Sequence, residues 1–201
     1  MSRYTGPKLK IIRKLGNLIG LTQKSIKPSI NSNKYENSEK KISEYRLRLE
    51  EKQKIKFNYG LTENQLYNYV KEARRQKGIT GLVLLQLLGM RLDNICFSLG
   101  LAPTIPAARQ LINLGHIYVN HKPVSIANFQ CRPSDLITIN KTTKSQNLVK
   151  LNLKNQKNLR RFSNLKFDNL KLEGLVENFC ERNDILLELK ELKIIEYYSR
   201  Q

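Results

Sequence analysis

The chain is poor in several things at once, and each shortage narrows what it can be. Its 201 residues include no tryptophan, two histidines, three cysteines and five alanines. Cys96, Cys131 and Cys180 are odd in number and far apart, and no CxxC pair occurs, which argues against a disulfide framework or a zinc clip. Free, buried thiols are the plain expectation. His116 and His121 lie in and beside one short strand segment, with no Ser/Asp or Cys partner in an evident constellation, so no nucleophilic triad suggests itself. The longest apolar stretch, around "LVLLQLLGM", is far too short to cross a bilayer. The first residues, "MSRYTGPKLKIIRKLGNLIGL", lack the apolar block and small-residue cleavage site of a secretory signal. Their proline and glycines also work against a sustained amphipathic helix lying on a membrane surface.

Acids are the scarcest class relative to their opposites. Against 17 Asp/Glu stand 36 Lys/Arg, a formal net charge of +19. A charge of this size attracts polyanions and strains a compact state that lacks one. It is unevenly spread. Residues 1–90 carry 19 basic and 7 acidic side chains, residues 91–151 carry 7 and 2, and residues 152–201 carry 10 and 8. The first 35 residues hold eight basic residues and no acid. The following "SIKPSINSNKYENSEKK" overlaps the end of that stretch and has the composition of a linker. Residues 1–42 are therefore expected to be an extended basic arm and linker, unfolded without a polyanion, with Tyr4, Ile11, Ile12, Leu15 and Leu18 available to order against one.

Beyond the linker, the periodicity becomes helical. "SEYRLRLEEKQKIKFNYG" is charged on nearly every face and ends at Gly60. Thr62 and Gln65 form a capping box for "ENQLYNYVKEARRQK", whose stripe is Leu66, Tyr69, Val70 and Ala73. Thr80 is expected to cap the nearly all-apolar "GLVLLQLLGM", which must be buried. Residues 43–90 thus predict a small helical domain with a basic exterior. In "MRLDNICFSLGL", Leu92, Ile95, Cys96 and Leu99 make one apolar stripe and leave Arg91, Asn94 and Ser98 on the other side. The next helix begins at Thr104 with Pro106 in its first turn. Ala107, Ala108, Leu111 and Ile112 are its buried face, while Arg109 projects outward. "HIYVN", "HKPV" and "LITI" read as short strands around turns. The fold class is α+β, with short helices packed on a small antiparallel sheet over 91–151. In the nearly charge-balanced tail, 152–201, "ELKIIEYYSR" reads as a strand that helps to complete the sheet.

The run "RLDN…LGLAPTIPAARQLINLGHIYVN…PSDLITI" resembles the S-four-type, or alpha-L, RNA-binding domain. With "MSRYTGPKLKIIRKLG", "YRLRLEEKQKIKFNYGLTENQL", "ARRQKG" and "EYYSR" in order around it, almost the whole chain resembles the small-subunit ribosomal protein S-four family, in its plastid-encoded type. The resemblance thins at 21–42 and 141–180. It implies a non-enzymatic structural constituent of the small ribosomal subunit that needs no cofactor or metal. It further implies a primary binder of the 5′ domain of small-subunit ribosomal RNA that nucleates assembly of the subunit body and contributes to translational accuracy. An RNA-modifying enzyme would need a catalytic domain for which the remainder of the chain leaves no room. Folded RNA is recognised through shape, phosphates and 2′-hydroxyls, which calls for guanidinium, ammonium and amide donors. The RNA contacts implied are Arg91, Thr104, Arg109, Asn120 and Lys122. Arg46, Arg48, Arg74, Arg75 and Lys77 join them from the helical domain, and Arg3, Arg13 and Lys14 from the arm. An open helix N-terminus at Thr104 would add backbone N–H donors. Ser98 and His121 depart from the family pattern. The acids Glu177, Glu181, Glu188 and Glu191 imply an interface with neighbouring ribosomal proteins, S-five above all. Messenger RNA where it enters the subunit is a further partner, and no membrane is involved.

Overall fold

The computed structural model describes residues 4–24, 43–155, 162–185 and 187–199. Arg3 and most of the linker lie outside them. Eight helices and five strands occur among the described residues. Four of the helices, α1 (Lys8–Leu15), α2 (Glu44–Asn58), α3 (Glu63–Arg75) and α4 (Thr80–Gly89), precede the first strand pairings and build a helical module. Next come α5 (Leu92–Ser98) and α6 (Ile105–Asn113), then strands β1 (Ile117–Val119), β2 (Lys122–Pro123) and β3 (Leu136–Ile139). Helix α7 (Thr143–Asn155) follows, then β4 (Leu165–Asp168), β5 (Glu173–Val176) and α8 (Glu191–Ser199). The sheet is antiparallel in the order β2-β1-β3-β5-β4.

Local signals explain most boundaries. The Thr62 hydroxyl accepts from Gln65 N while the Gln65 side chain accepts from Thr62 N, a complete capping box. Ser43 caps α2 with the first half of such a box alone, its hydroxyl accepting from Arg46 N. Helix α4 takes Ile79 as its flanking residue, so Thr80 is its first residue and not its cap. Between β1 and β2 only Asn120 and His121 intervene, both at positive φ (50° and 63°), the conformation of a two-residue hairpin whose twist suits its strands. His121 occupies a position that glycine adopts at less cost.

Two expectations fail here, for the same reason. The first is the extended arm: over residues 8–15 it is a helix, and Ile11, Ile12, Leu15, Leu18 and Leu21 are buried in the helical core beside Ile55, Leu66 and Leu84. Gly20 fastens the segment to both modules. Its N–H donates to Asn58 Oδ1 (2.9 Å) and its carbonyl accepts from Ile105 N (2.9 Å), and a Cβ there would stand 2.5 Å from Ile105 Cδ1. The second is the strand over "ELKIIEYYSR", which is helix α8. Its Ile194, Tyr197 and Tyr198 fall at i, i+3 and i+4 and enter that same helical core. Adjacent β-branched residues suggested a strand, but burial along one helical stripe outweighs that local preference. The tail still extends the sheet, through β4 and β5.

A second core lies under the sheet, where Ile117, Val119, Ile137, Ile139 and Val176 meet Leu92, Ile95, Leu111 and Ile112. All three thiols are buried. Burial is the main cause that pushes Cys131 and Cys180 up to about 12.

Because Leu18 is fully buried, Leu18→Ala should lower unfolding free energy by about 2–5 kcal/mol. Urea denaturation of the free protein measures it; a change near zero would return this segment to a dispensable arm.

Candidate nucleic-acid interface

The residues expected to meet RNA divide into three groups. One is open to solvent. Arg13 and Lys14 stand in the last turn of α1, exposed on the side away from Ile11, Ile12 and Leu15. Arg74 and Arg75 end α3 and Lys77 follows, all exposed, with Arg75 3.7 Å from Glu72. Lys122 is exposed on β2, and Arg46 is exposed beside Glu50 (2.9 Å).

In a second group the side chains shape the backbone. Thr104 Oγ1 accepts from Ala107 N at 3.3 Å, so α6 is capped and the open N-terminus expected there is closed by its own side chain. Asn120 spans the hairpin, with Oδ1 accepting from Leu136 N (2.9 Å) and Nδ2 donating to Asp135 (2.8 Å).

The third group is turned inward, contrary to expectation. Arg48 is buried and donates to Glu44 (2.6 Å) and Glu196 (2.8 Å), tying α2 to α8. Arg91, 3% exposed, grips Asp93 with two bonds of 3.0 and 2.8 Å and donates a third to Tyr69 Oη. Burial alone would lower its proton affinity; hydrogen bonding and charge from Asp93 reverse the direction and raise it. Arg109 donates Nε to the same Asp93 carboxylate (2.8 Å) and its other nitrogens to the carbonyls of Gly60 (2.7 Å) and Tyr59. Gly60 sits at φ 57°, and a Cβ there would be 2.9 Å from the Arg109 guanidinium, so this contact requires glycine. Helical periodicity put Arg91 and Arg109 on outer faces because it cannot see Asp93, which is fully buried and needs cations.

The structure adds an exposed stripe that the last turn of α3 alone does not include. Tyr67, Lys71 and Arg74 follow one another at i, i+4 and i+7 along α3, all exposed. In the sequence it is a second stripe about 100° around the helix from Leu66, Val70 and Ala73. With Arg75 and Lys77 beside it, this stripe offers ammonium and guanidinium donors and one aromatic face; Arg13 and Lys14 offer further cations at the end of α1. Phosphate and base stacking are what such groups accommodate. Of the acids expected at a protein interface, Glu181 and Glu188 are exposed, Glu177 pairs with Lys166, and Glu191 pairs with Arg182.

At the start of α3, Glu63 takes hydrogen bonds from Lys52 (2.7 Å), Lys56 (3.1 Å) and Tyr198 (2.8 Å). Burial by itself raises its carboxyl, but those three donors outweigh burial and hold it below the ordinary carboxylate range. Its stabilisation is present above the unfolded-state value and is lost as pH falls through the folded one. Glu63→Gln should therefore flatten the acid limb of a stability-versus-pH curve below about pH 4.3, measured by urea unfolding at stepped pH.

Removing the Asp93 carboxylate leaves two cations without their partner. Asp93→Ala should cost about 3–5 kcal/mol, and Arg91→Ala should reduce stability rather than leave the fold intact. Thermal unfolding monitored by circular dichroism tests both.

Two family profiles match the chain in sequence: "Ribosomal protein S4/S9 N-terminal domain" over residues 3–89 and "S4 domain" over residues 90–137. The chain is 59% identical to the small ribosomal subunit protein uS4c of Trieres chinensis, with all of both chains covered. It is 53% identical to uS4 of Nostoc punctiforme and 52% to uS4c of Marchantia polymorpha, again with full coverage of both.

Proposed function

The chain belongs to the ribosomal protein S4 family, and from that premise we propose that it is a primary binder of the 5′ domain of small-subunit ribosomal RNA. It is a structural constituent of the small ribosomal subunit, of the plastid type. Full-length likeness to both chloroplast and cyanobacterial members is the basis for that placement. In this reading the exposed cations of α1 and α3 hold phosphates, Lys122 and the hairpin set by Asn120 add contacts from the sheet module, and Arg3 extends the set beyond the described residues. The observation that carries it is the set of exposed cations at the ends of α1 and α3: Arg13 and Lys14 on the first, Lys71, Arg74, Arg75 and Lys77 on and just after the second. By binding early and rigidly the protein nucleates the subunit body. Messenger RNA, where it enters the subunit, is a second polyanion this surface would attract. Glu181 and Glu188 face neighbouring proteins, S-five among them, and through that contact the protein contributes to decoding accuracy. No catalytic role and no cofactor belong to this reading.

Affinity for a 5′-domain transcript should fall by about 10³–10⁵ between 50 and 200 mM salt if some six to ten phosphates are neutralised. Arg74→Ala combined with Lys77→Ala should weaken binding at every salt concentration and reduce the log–log slope by about 1 per lost phosphate contact. Filter binding measures both. A flat salt dependence, or a double variant that binds like the parent, would overturn the assignment.

A further inference from the structure

The sheet has one face in the core and one face out. Ile117, Val119, Ile137, Ile139, Gly174 and Val176 point inward. Strand alternation puts Tyr118, Leu136, Thr138, Glu173 and Leu175 on the other side. The register sets these side by side: Tyr118 opposite Thr138, Thr138 opposite Glu173, and Leu136 opposite Leu175. At the β4 edge Lys166 lies opposite Leu175 and Asp168 opposite Glu173. Leu175 is 37% exposed, and Leu170, at the tip of the β4–β5 hairpin, is 95% exposed. The tip is a built turn, for Asp168 Oδ1 accepts from both Leu170 N (2.8 Å) and Lys171 N (3.3 Å).

The charge on this outer face runs against the rest of the chain. Among the described residues, the strands of this face carry Glu173 and Asp168, with Glu177 just past β5, against Lys166, which is paired with Glu177, and Lys171 in the hairpin turn. In a molecule of net charge +19, an open sheet face with surplus carboxylates repels phosphate. It is complementary to a basic polypeptide, and its centre of Leu136, Leu175 and Tyr118 supplies the apolar contact that an interface core needs.

We propose that this face docks an extended, Lys/Arg-rich segment of a neighbouring protein, with that segment's apolar side chains on Leu136 and Leu175 and its cations on Glu173 and Asp168. The proposal rests on the ribosomal reading, since it is within the small subunit that such a neighbour is met. It differs from the contact through Glu181 and Glu188 by using the strands rather than the loops that follow them.

The test places a photoreactive benzophenone amino acid at position 175 of the full chain and illuminates small subunits isolated from cells that carry it. The expected product joins the chain to another protein, and the cross-linked peptide contains more Lys/Arg than Asp/Glu. Adding Glu173→Lys should reduce that cross-link by about tenfold, the equivalent of about 1.4 kcal/mol, while the chain still sediments with the subunit. Cross-links to RNA, to a second copy of this chain, or to nothing in subunits that contain the protein would overturn the proposal. If the chain did not sediment with the subunit at all, the ribosomal reading would fail first, and this proposal with it.

Discussion

Asp93 is the constraint on which the arrangement of the two modules depends. A carboxylate with no solvent exposure is stable only when its charge is met, and Arg91 and Arg109 meet it from the start of α5 and the middle of α6. Arg109 then has donors to spare. It spends them on the carbonyls of Tyr59 and Gly60, at the end of α2, so one side chain closes a buried ion cluster and also tethers the helical module to the sheet module. Arg91 does the same through Tyr69 on α3. A buried cluster of this kind is weak evidence for net stability, because desolvation offsets much of the attraction. Its geometric effect is firmer: the directional bonds allow one relative placement of the modules. A fixed placement of this kind is what recognition of a folded RNA by shape requires, and a loose hinge would not supply it.

Much of this was legible in the sequence because it is written locally. The Thr62 capping box, Pro106 in the first turn of α6, the stripe Leu92–Ile95–Cys96–Leu99 and the strands around 117–119, 122–123 and 136–139 are all set by near neighbours in the chain. What was misread depends on distant partners. Arg48, Arg91 and Arg109 look like surface cations until Glu196, Asp93 and the α2 carbonyls are placed beside them. The arm was judged by its missing acids, whereas its fate is decided by Ile11, Ile12, Leu15 and Leu18, whose spacing suits a helix once there is a core to enter. In the candidate site, the exposed end of α3 was legible from charge alone. The Tyr67–Lys71–Arg74 stripe is equally present in the spacing, but its charges are spread over two turns and do not stand out as the cluster in the last turn does.

Charge is sorted by depth and by face as well as by position in the chain. The cations that remain exposed at the ends of α1 and α3 sit where a helix C-terminus already favours them. Those drawn inward, Arg48, Lys52 and Arg91, are matched by Glu44, Glu196, Glu63 and Asp93. With Arg109 these pairs set four cations against four acids, so they leave the net positive charge of the remaining surface essentially unchanged. The outer sheet face is the exception, and its carboxylates stand out because the other acids are so often committed to buried or half-buried partners.

The helical core also joins the two ends of the chain. Helices α1 and α8 bury Ile12 and Ile194 in one cluster, and α2 runs between its partners from both termini. Several polar groups on α2 gain a further partner from the C-terminal segment: Arg48 from Glu196, Lys52 from Tyr197, and Glu51 from the backbone N–H of Lys190. These contacts span more than a hundred residues, so closing them carries the entropy of a long loop. The sheet module's α5, α6 and first three strands use partners close in sequence and incur far less of it. During synthesis the order follows from that difference. The sheet module can condense while the chain is still growing, whereas the bonds of α2 to Glu196 and Tyr197 form only after α8 has been made.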